Sequence, residues 1–97
     1  MKIRILDLAE QDLIEGFRFY EAQEVGLGSY FLTNLYAEIE SLRIYAGVHD
    51  KPFKAYYRLL SHRFPFAVFY TFEKDLVSIQ AVLDCRRDPA WVRDRLP

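Results

Sequence analysis

Two adjacent arginines, Arg86 and Arg87, follow the alternating apolar run Leu76–Leu83 after two intervening residues and should therefore lie where a strand ends. Two more, Arg58 and Arg63, lie in and just after an earlier apolar run. Guanidinium groups without neighbouring acids are suited to bidentate capture of carboxylates. The sequence predicts an open sheet face bordered by arginines that binds a macromolecular partner. The alternative interpretation is that these are surface charges that prevent edge-to-edge strand pairing.

Three runs rich in aromatic and β-branched residues carry these arginines: Tyr56–Ser61, Phe66–Phe72 and Leu76–Leu83. Short polar turns separate them, and connections this short join antiparallel neighbours. In the third run the odd-numbered residues from Val77 to Leu83 are all apolar, which predicts one buried and one largely solvated face. The pattern is typical of a three-stranded antiparallel meander.

The N-terminal part of the sequence predicts a short strand and a first helix. Lys2–Leu6 alternates like a strand. Asp7 then has the character of an N-cap residue, and Glu10 three positions later completes a capping-box pattern. Apolar residues at helical spacing predict a helix over roughly 8–24.

A second helix is predicted from the cap residue Ser29 to about Ala46. Because the spacer to the first helix is so short, the two should form an αα-hairpin packed on one face of the sheet. Near the C-terminus, Pro89 suits the first turn of a short helix capped by Asp88. The predicted fold class is α+β, with the order β-α-α-β-β-β and a C-terminal tail.

Length and composition bound the class of protein. With 97 residues we expect one domain, and with 52% hydrophobic residues it should fold. Neither a secretory signal nor a membrane span is expected. The single cysteine, Cys85, suits a reducing compartment, so we expect a cytoplasmic protein without a disulfide. The sequence has no motif for a metal or a small-molecule cofactor.

Charge is unevenly distributed around a net value of −1. From Asp7 to Ala46 there are eight acidic and two basic residues, a regional charge of −6. The basic residues concentrate in the meander and the tail. This distribution argues against whole-molecule attraction to nucleic acid and favours local capture of an acidic partner.

Four stretches together resemble the RelE/ParE superfamily of bacterial type II toxins, and most closely its ParE-like branch. They are AEQDLIEGFRFYEAQ at Ala9–Gln23, GLGSYF at Gly26–Phe31, YRLLSHRFPFAVFY at Tyr57–Tyr70 and AVLDCRRDPAW at Ala81–Trp91. The last contains R-R-D-P-A-W at Arg86–Trp91, which is similar to the R-R-D-P-x-x-W pattern common in that branch but has one residue fewer between the proline and the tryptophan. The chain departs from the pattern at Asp84, where a histidine is common.

The resemblance implies a toxin that is neutralised by a cognate antitoxin protein. In the ParE-like branch the toxin binds a protein target, DNA gyrase, without nuclease chemistry of its own. The alternatives are a ribosome-dependent mRNA endonuclease of the RelE-like type and a degenerate member that binds an antitoxin but is not toxic.

The RelE-like nucleases that this chain resembles use cationic residues along the meander. Arg58 falls on one of their lysine positions and Arg86 on an arginine position, but Leu60 and Ala67 replace two others. If the chain were a nuclease, Arg58, His62 and Arg86 would be its catalytic residues, with His62 as general acid or base. The alternative for His62 is a solvated turn residue. We therefore lean toward a chain that is not an enzyme.

Trp91 is expected either to cover the end of the core or to anchor an interface. Asp84 is expected to form an ion pair that orients an arginine, with a lowered pKa. Phe19 and Tyr36 are expected on the helix surface, where an antitoxin helix could bury them. The residues predicted to bind the target or the antitoxin are Arg58, Arg63, Arg86, Arg87, Trp91 and Arg93.

Overall fold

The computed structural model describes residues 1–53 and 55–96. Its strands form one mixed sheet in the order β1-β5-β4-β3-β2, in which β1 is parallel to β5 and the other neighbours are antiparallel. The predicted α+β class is confirmed, as are the N-terminal strand, the helix pair and the meander. The elements are β1 (Lys2–Ile5), α1 (Asp7–Gln23), α2 (Leu27–Tyr45), β2 (Asp50–Phe53), β3 (Tyr56–Leu60), β4 (Phe66–Glu73), β5 (Leu76–Asp84) and α3 (Pro89–Arg95).

Strand β2 was not predicted from the sequence. It contains Pro52, and its register with β3 shifts between Asp50 and Phe53. Proline is confined to edge strands because it cannot donate a hydrogen bond to the ladder. Its position at the outer edge of the sheet is therefore the one that Pro52 allows.

Helices α1 and α2 pack on one face of the sheet and enclose the main core. Tyr20 of α1 and Phe31 of α2 meet Phe64 and Phe66 with ring centroids 4.9 to 6.2 Å apart. Edge-to-face contacts of this kind add to the free energy gained by burial. This aromatic cluster fixes the end of the helix pair to the turn between β3 and β4.

A bulge in β5 overturns the predicted alternation of its side chains. Phe69 pairs with Ala81 but Tyr70 pairs with Ile79, so Gln80 is an extra residue in the ladder. Beyond it the side chains exchange faces. Val82 joins the helix-covered core, whereas Ala81 and Leu83 enter a second cluster on the opposite face.

The prediction that the opposite face of the sheet is largely solvated is therefore wrong, because a second core cluster lies on it. Val92 and Leu96, in and after α3, pack there against Ala67, Phe69 and Leu83. Helix α3 itself is capped as the sequence predicted, because Asp88 Oδ1 accepts a hydrogen bond from the Ala90 amide at 2.8 Å. The short C-terminal helix thus closes a second, smaller core.

The predicted cap residues of α1 and α2 are wrong. Leu6 precedes α1 without a side-chain cap, because leucine carries no hydrogen-bond acceptor, and Asp7 already lies inside the helix. The Leu6 amide is held in the sheet by the Ile79 carbonyl at 3.1 Å. Ser29 lies inside α2. Glu21 of α1 performs the capping instead, accepting from the Gly26 and Gly28 amides at 2.9 to 3.1 Å.

This capping contact gives a test of the helix hairpin. We expect Glu21→Ala to lower the free energy of unfolding by about 1 kcal/mol, because it leaves the first amides of α2 without an acceptor. Ser29→Ala should change it by less than about 0.5 kcal/mol, as for an ordinary surface substitution. Urea denaturation followed by circular dichroism measures both. A larger decrease in the free energy of unfolding for Ser29→Ala than for Glu21→Ala would contradict the assignment of Glu21 as the capping residue.

Candidate binding cleft

A cleft of about 260 Å³ lies where the end of β5 passes between α1 and α3. Its floor is the last part of β5 with the Phe66 ring, and its walls are the two helices. The lining combines aromatic rings with charged groups of both signs. The lining residues are Asp12, Glu15, Gly16, Phe19, Phe66, Val82, Leu83, Asp84, Arg87, Trp91 and Arg95.

Asp12 holds the three elements of the cleft together. Although it is only 8% exposed, its Oδ2 accepts from the Val82 amide at 3.0 Å and its Oδ1 accepts from the Arg95 guanidinium. Arg95 also donates to the Leu8 carbonyl at 3.1 Å. Burial raises the pKa of Asp12, while the bonds from Val82 and Arg95 act in the opposite direction. One carboxylate thus joins α1, β5 and α3.

Arg86 is held by Asp84, as the sequence predicted. The guanidinium donates to the two carboxylate oxygens at 2.7 and 3.0 Å, and the Arg86 amide donates to Oδ1 at 2.9 Å. Asp84 pairs with Phe66 across the sheet and so projects toward the helix-covered side. The ion pair holds Arg86 against Asp84, which lines the cleft, while leaving the Arg86 side chain 64% exposed.

Arg87 and Trp91 form the wall of the cleft on the side of α3. The guanidinium carbon of Arg87 lies 4.4 Å from the centroid of the Trp91 ring, a cation–π contact. Trp91 is 39% exposed, and Val92 and Leu96 rather than Trp91 cover the core. The interpretation of Trp91 as a lid is therefore wrong, and its exposed ring remains available to a partner.

The remaining predicted binding residues do not join this cluster. Arg58 shares a sheet face with its pair mate Phe69, on the side away from α1 and α2, and it donates to Asp50 at 2.9 Å. Arg63, in the β3–β4 turn, and Arg93, on α3, are exposed and form no ion pair within residues 1–53 and 55–96. The single arginine-bordered face predicted from the sequence is thus divided between the two sides of the sheet.

His62 lies on yet another surface. Its amide and ring Nδ1 contact Glu38 Oε1 of α2 at 2.8 and 2.9 Å, and its ring is 86% exposed. The three residues named for a nuclease therefore do not converge: Arg58 pairs with Asp50, His62 with Glu38 and Arg86 with Asp84.

Phe19 and Tyr36 are exposed on the helices as predicted, at 55% and 41%. Phe19 also lines the cleft, a position that could not be predicted from the sequence pattern. Asp12 and Arg95 were missed as well. In the sequence Asp12 is one of several acids near the start of α1 and Arg95 is a charge in the tail, and their separation of 83 positions conceals their contact.

No three His, Cys, Asp or Glu side chains in the described part of the chain are grouped so that they could hold a metal ion. Among the same residues, none of the helices is both long and apolar enough to span a membrane.

Comparisons with known proteins identify the fold. No family model matches the chain, and no curated protein matches it in sequence. Among solved structures, it is similar to a chain described as "Chromosomal ParDE TA system from P. aeruginosa", with a TM-score of 0.77 and 14% sequence identity. The match covers 84% of this chain and 92% of that one. The predicted RelE/ParE-like fold is confirmed.

The Asp84–Arg86 pair predicts a pH dependence. Hydrogen bonds from Arg86 lower the pKa of Asp84 below its ordinary value. The stability from the pair is therefore complete above the unfolded pKa of about 3.9 and is lost as the pH falls through the folded pKa. At neutral pH we expect the free energy of unfolding of wild type to exceed that of Asp84→Asn by less than about 1 kcal/mol, since the ion pair is partly exposed.

The measurement is urea denaturation of both proteins from neutral pH down to about pH 2, below the usual carboxylate range. The difference should shrink toward zero in acid. Asp75→Asn serves as control, because the Asp75 side chain makes no hydrogen bond within the described residues. A difference that grows as the pH falls would contradict the assignment.

Proposed function

We propose that this chain is the toxin component of a bacterial type II toxin–antitoxin system. It acts in the cytoplasm by binding a protein target, with DNA gyrase as the preferred candidate, and is neutralised by a cognate antitoxin. The observation that carries the proposal is the likeness in fold, over most of both chains, to a chain of a ParDE TA system. The exposed cluster of Arg86, Arg87 and Trp91 supports binding as the mode of action.

This cluster has the properties of a protein-binding anchor. Arg86 is fixed by Asp84 but its side chain stays 64% exposed, so little side-chain entropy remains to be lost on binding. Arg87 and Trp91 are stacked and both reach solvent. Tryptophan and arginine are the residues most enriched among those that dominate binding energies at interfaces.

The separation of Arg58, His62 and Arg86 favours binding over RNA cleavage. Metal-independent cleavage needs a base, an acid and a fixed cation around one phosphate. Here each of the three residues is engaged by its own carboxylate, and Arg58 and Arg86 lie on opposite sides of the sheet. No observation favours the nuclease as a second function.

Alanine at both Arg86 and Arg87 tests the proposal. We expect wild type expressed without an antitoxin to arrest growth and the double variant to permit it. The fold should survive, because exposed ion pairs and cation–π contacts each contribute only about 1 kcal/mol or less. Lys74→Ala, in the turn at the opposite end of β5, removes a positive charge away from the cleft and should remain toxic. Circular dichroism and thermal unfolding check that wild type and both variants are folded.

The cause of the arrest separates the candidate targets. Chromosome breakage with induction of the DNA-damage response is the expected result, because it follows from poisoning of gyrase. Cleavage of translated mRNA would replace this proposal with the nuclease, and unimpaired growth on wild-type expression would identify a non-toxic antitoxin-binding chain. Full toxicity of the double variant would exclude the arginine cluster as the binding site.

A further inference from the structure

The end of β5 is an open sheet edge inside the cleft. Strand β1 pairs with β5 only as far as Ile5 opposite Ile79, and the last bond on that side runs from the Leu6 amide to the Ile79 carbonyl at 3.1 Å. Within the described part of the chain, residues 80–84 therefore have β4 on one side and no strand on the other. Open edges of this kind are templates for pairing with another chain.

The bulge at Gln80 determines which peptide groups point to this edge. The Cys85 amide bonds the Pro65 carbonyl next to β4, whereas the Val82 amide points the other way, to Asp12. Because the amide and carbonyl of one residue point to the same side of a strand, the Val82 carbonyl and the Asp84 amide face the cleft. Neither bonds α1, α3 or the connecting loops in the described structure.

These two groups have the spacing that a parallel neighbour requires. In a parallel ladder, a residue of one strand bonds the two residues that flank its partner on the other strand. Its amide donates to the carbonyl of the residue before the partner, and its carbonyl accepts from the amide of the residue after the partner. A residue placed opposite Leu83 would donate its amide to the Val82 carbonyl and accept a hydrogen bond from the Asp84 amide. Its strand would extend the line of β1, which is already parallel to β5.

The walls of the cleft specify the side chains of such a strand, since alternate residues point to opposite faces. On the side of α1 and α2 they meet the apolar surface of Phe19 and Phe66. On the side of α3 they meet Arg87, which has no carboxylate partner among the described residues, stacked on Trp91. The other cationic groups of the site are engaged, Arg86 by Asp84 and Arg95 by Asp12.

We propose that this edge binds an extended, acidic segment of a partner protein by adding a parallel strand to β5. One apolar side chain packs against Phe19 and Phe66, and the carboxylate of the next residue pairs with Arg87. Under the proposed function, on which this identification of the partner rests, the segment belongs to the antitoxin. Main-chain pairing supplies affinity and the two side-chain positions supply specificity, as in other cases of β-strand addition.

The test uses the full chain labelled with ¹⁵N and the peptide acetyl-Glu-Leu-Asp-Leu-Glu-amide. Titration should shift the Asp84 amide downfield and slow its hydrogen exchange. The neutral peptide acetyl-Gln-Leu-Asn-Leu-Gln-amide should bind more weakly. Arg87→Gln should weaken binding of the acidic peptide about tenfold, as for loss of one charge-assisted bond. Lys74→Asn should leave its affinity unchanged.

Two substitutions at Asp84 isolate the backbone contribution. Asp84→Ala removes the carboxylate but keeps the amide, whereas Asp84→Pro removes both. The Asp84 amide faces away from β4, because strand alternation turns it to the same side as the Val82 amide. We expect Asp84→Pro to bind the peptide about tenfold more weakly than Asp84→Ala, the effect of one lost hydrogen bond. Thermal unfolding of both variants verifies that they are folded.

Equal affinities in folded Asp84→Pro and Asp84→Ala would overturn the proposal. So would shifts confined to the outer surfaces of α1 and α2, or none at millimolar peptide. A chain that binds the peptide here but does not arrest growth would refute the proposed toxin function and leave this edge assigned. A chain that arrests growth but does not bind the peptide would refute the assignment of this edge and leave the proposed toxin function in place.

Discussion

The Asp12 carboxylate is the interaction on which the site depends. Strand β1 ends before β5 does, so the Val82 amide would be left unpaired inside the protein, and Asp12 of α1 supplies its acceptor. An unsatisfied buried amide costs about 1–3 kcal/mol, and an uncompensated buried charge costs more. Arg95 balances the charge of Asp12, and in doing so it ties α3 to α1. The position of Arg87 and Trp91 follows from that contact.

The bulge at Gln80 is the second constraint, and it acts on both side chains and peptide groups. It turns Ala81 and Leu83 toward α3, which gives the short C-terminal helix a surface to cover. It also points the Val82 amide toward Asp12 rather than toward β4. Bulges are common at sheet edges and next to functional sites, where they redirect a strand. The cleft exists here because the ladder with β1 stops where this redirection begins.

Much of the fold could be predicted from apolar periodicity, because α1 and α2 each bury a stripe of apolar residues and β4 and β5 are apolar over most of their length. The cap of α3 was also predictable, since Asp88-Pro89 is a local signal. The bulge was not recognised, although three consecutive apolar residues, Ala81–Leu83, break strict alternation. Contacts between residues far apart in the chain could not be predicted from local sequence patterns. Arg58 and Arg86 were therefore predicted on one face of the sheet, whereas the strand register places them on opposite sides.

The central claim is that Asp12 positions α3, and amide hydrogen exchange in wild type and Asp12→Ala tests it most directly. The account predicts that the Val82 amide and the amides of Arg93–Leu96 are protected in wild type. In Asp12→Ala they should exchange at least about tenfold faster, as expected for loss of one buried hydrogen bond, while amides of β3 and β4 keep their protection. Unchanged protection of α3 in a folded Asp12→Ala variant would contradict the account.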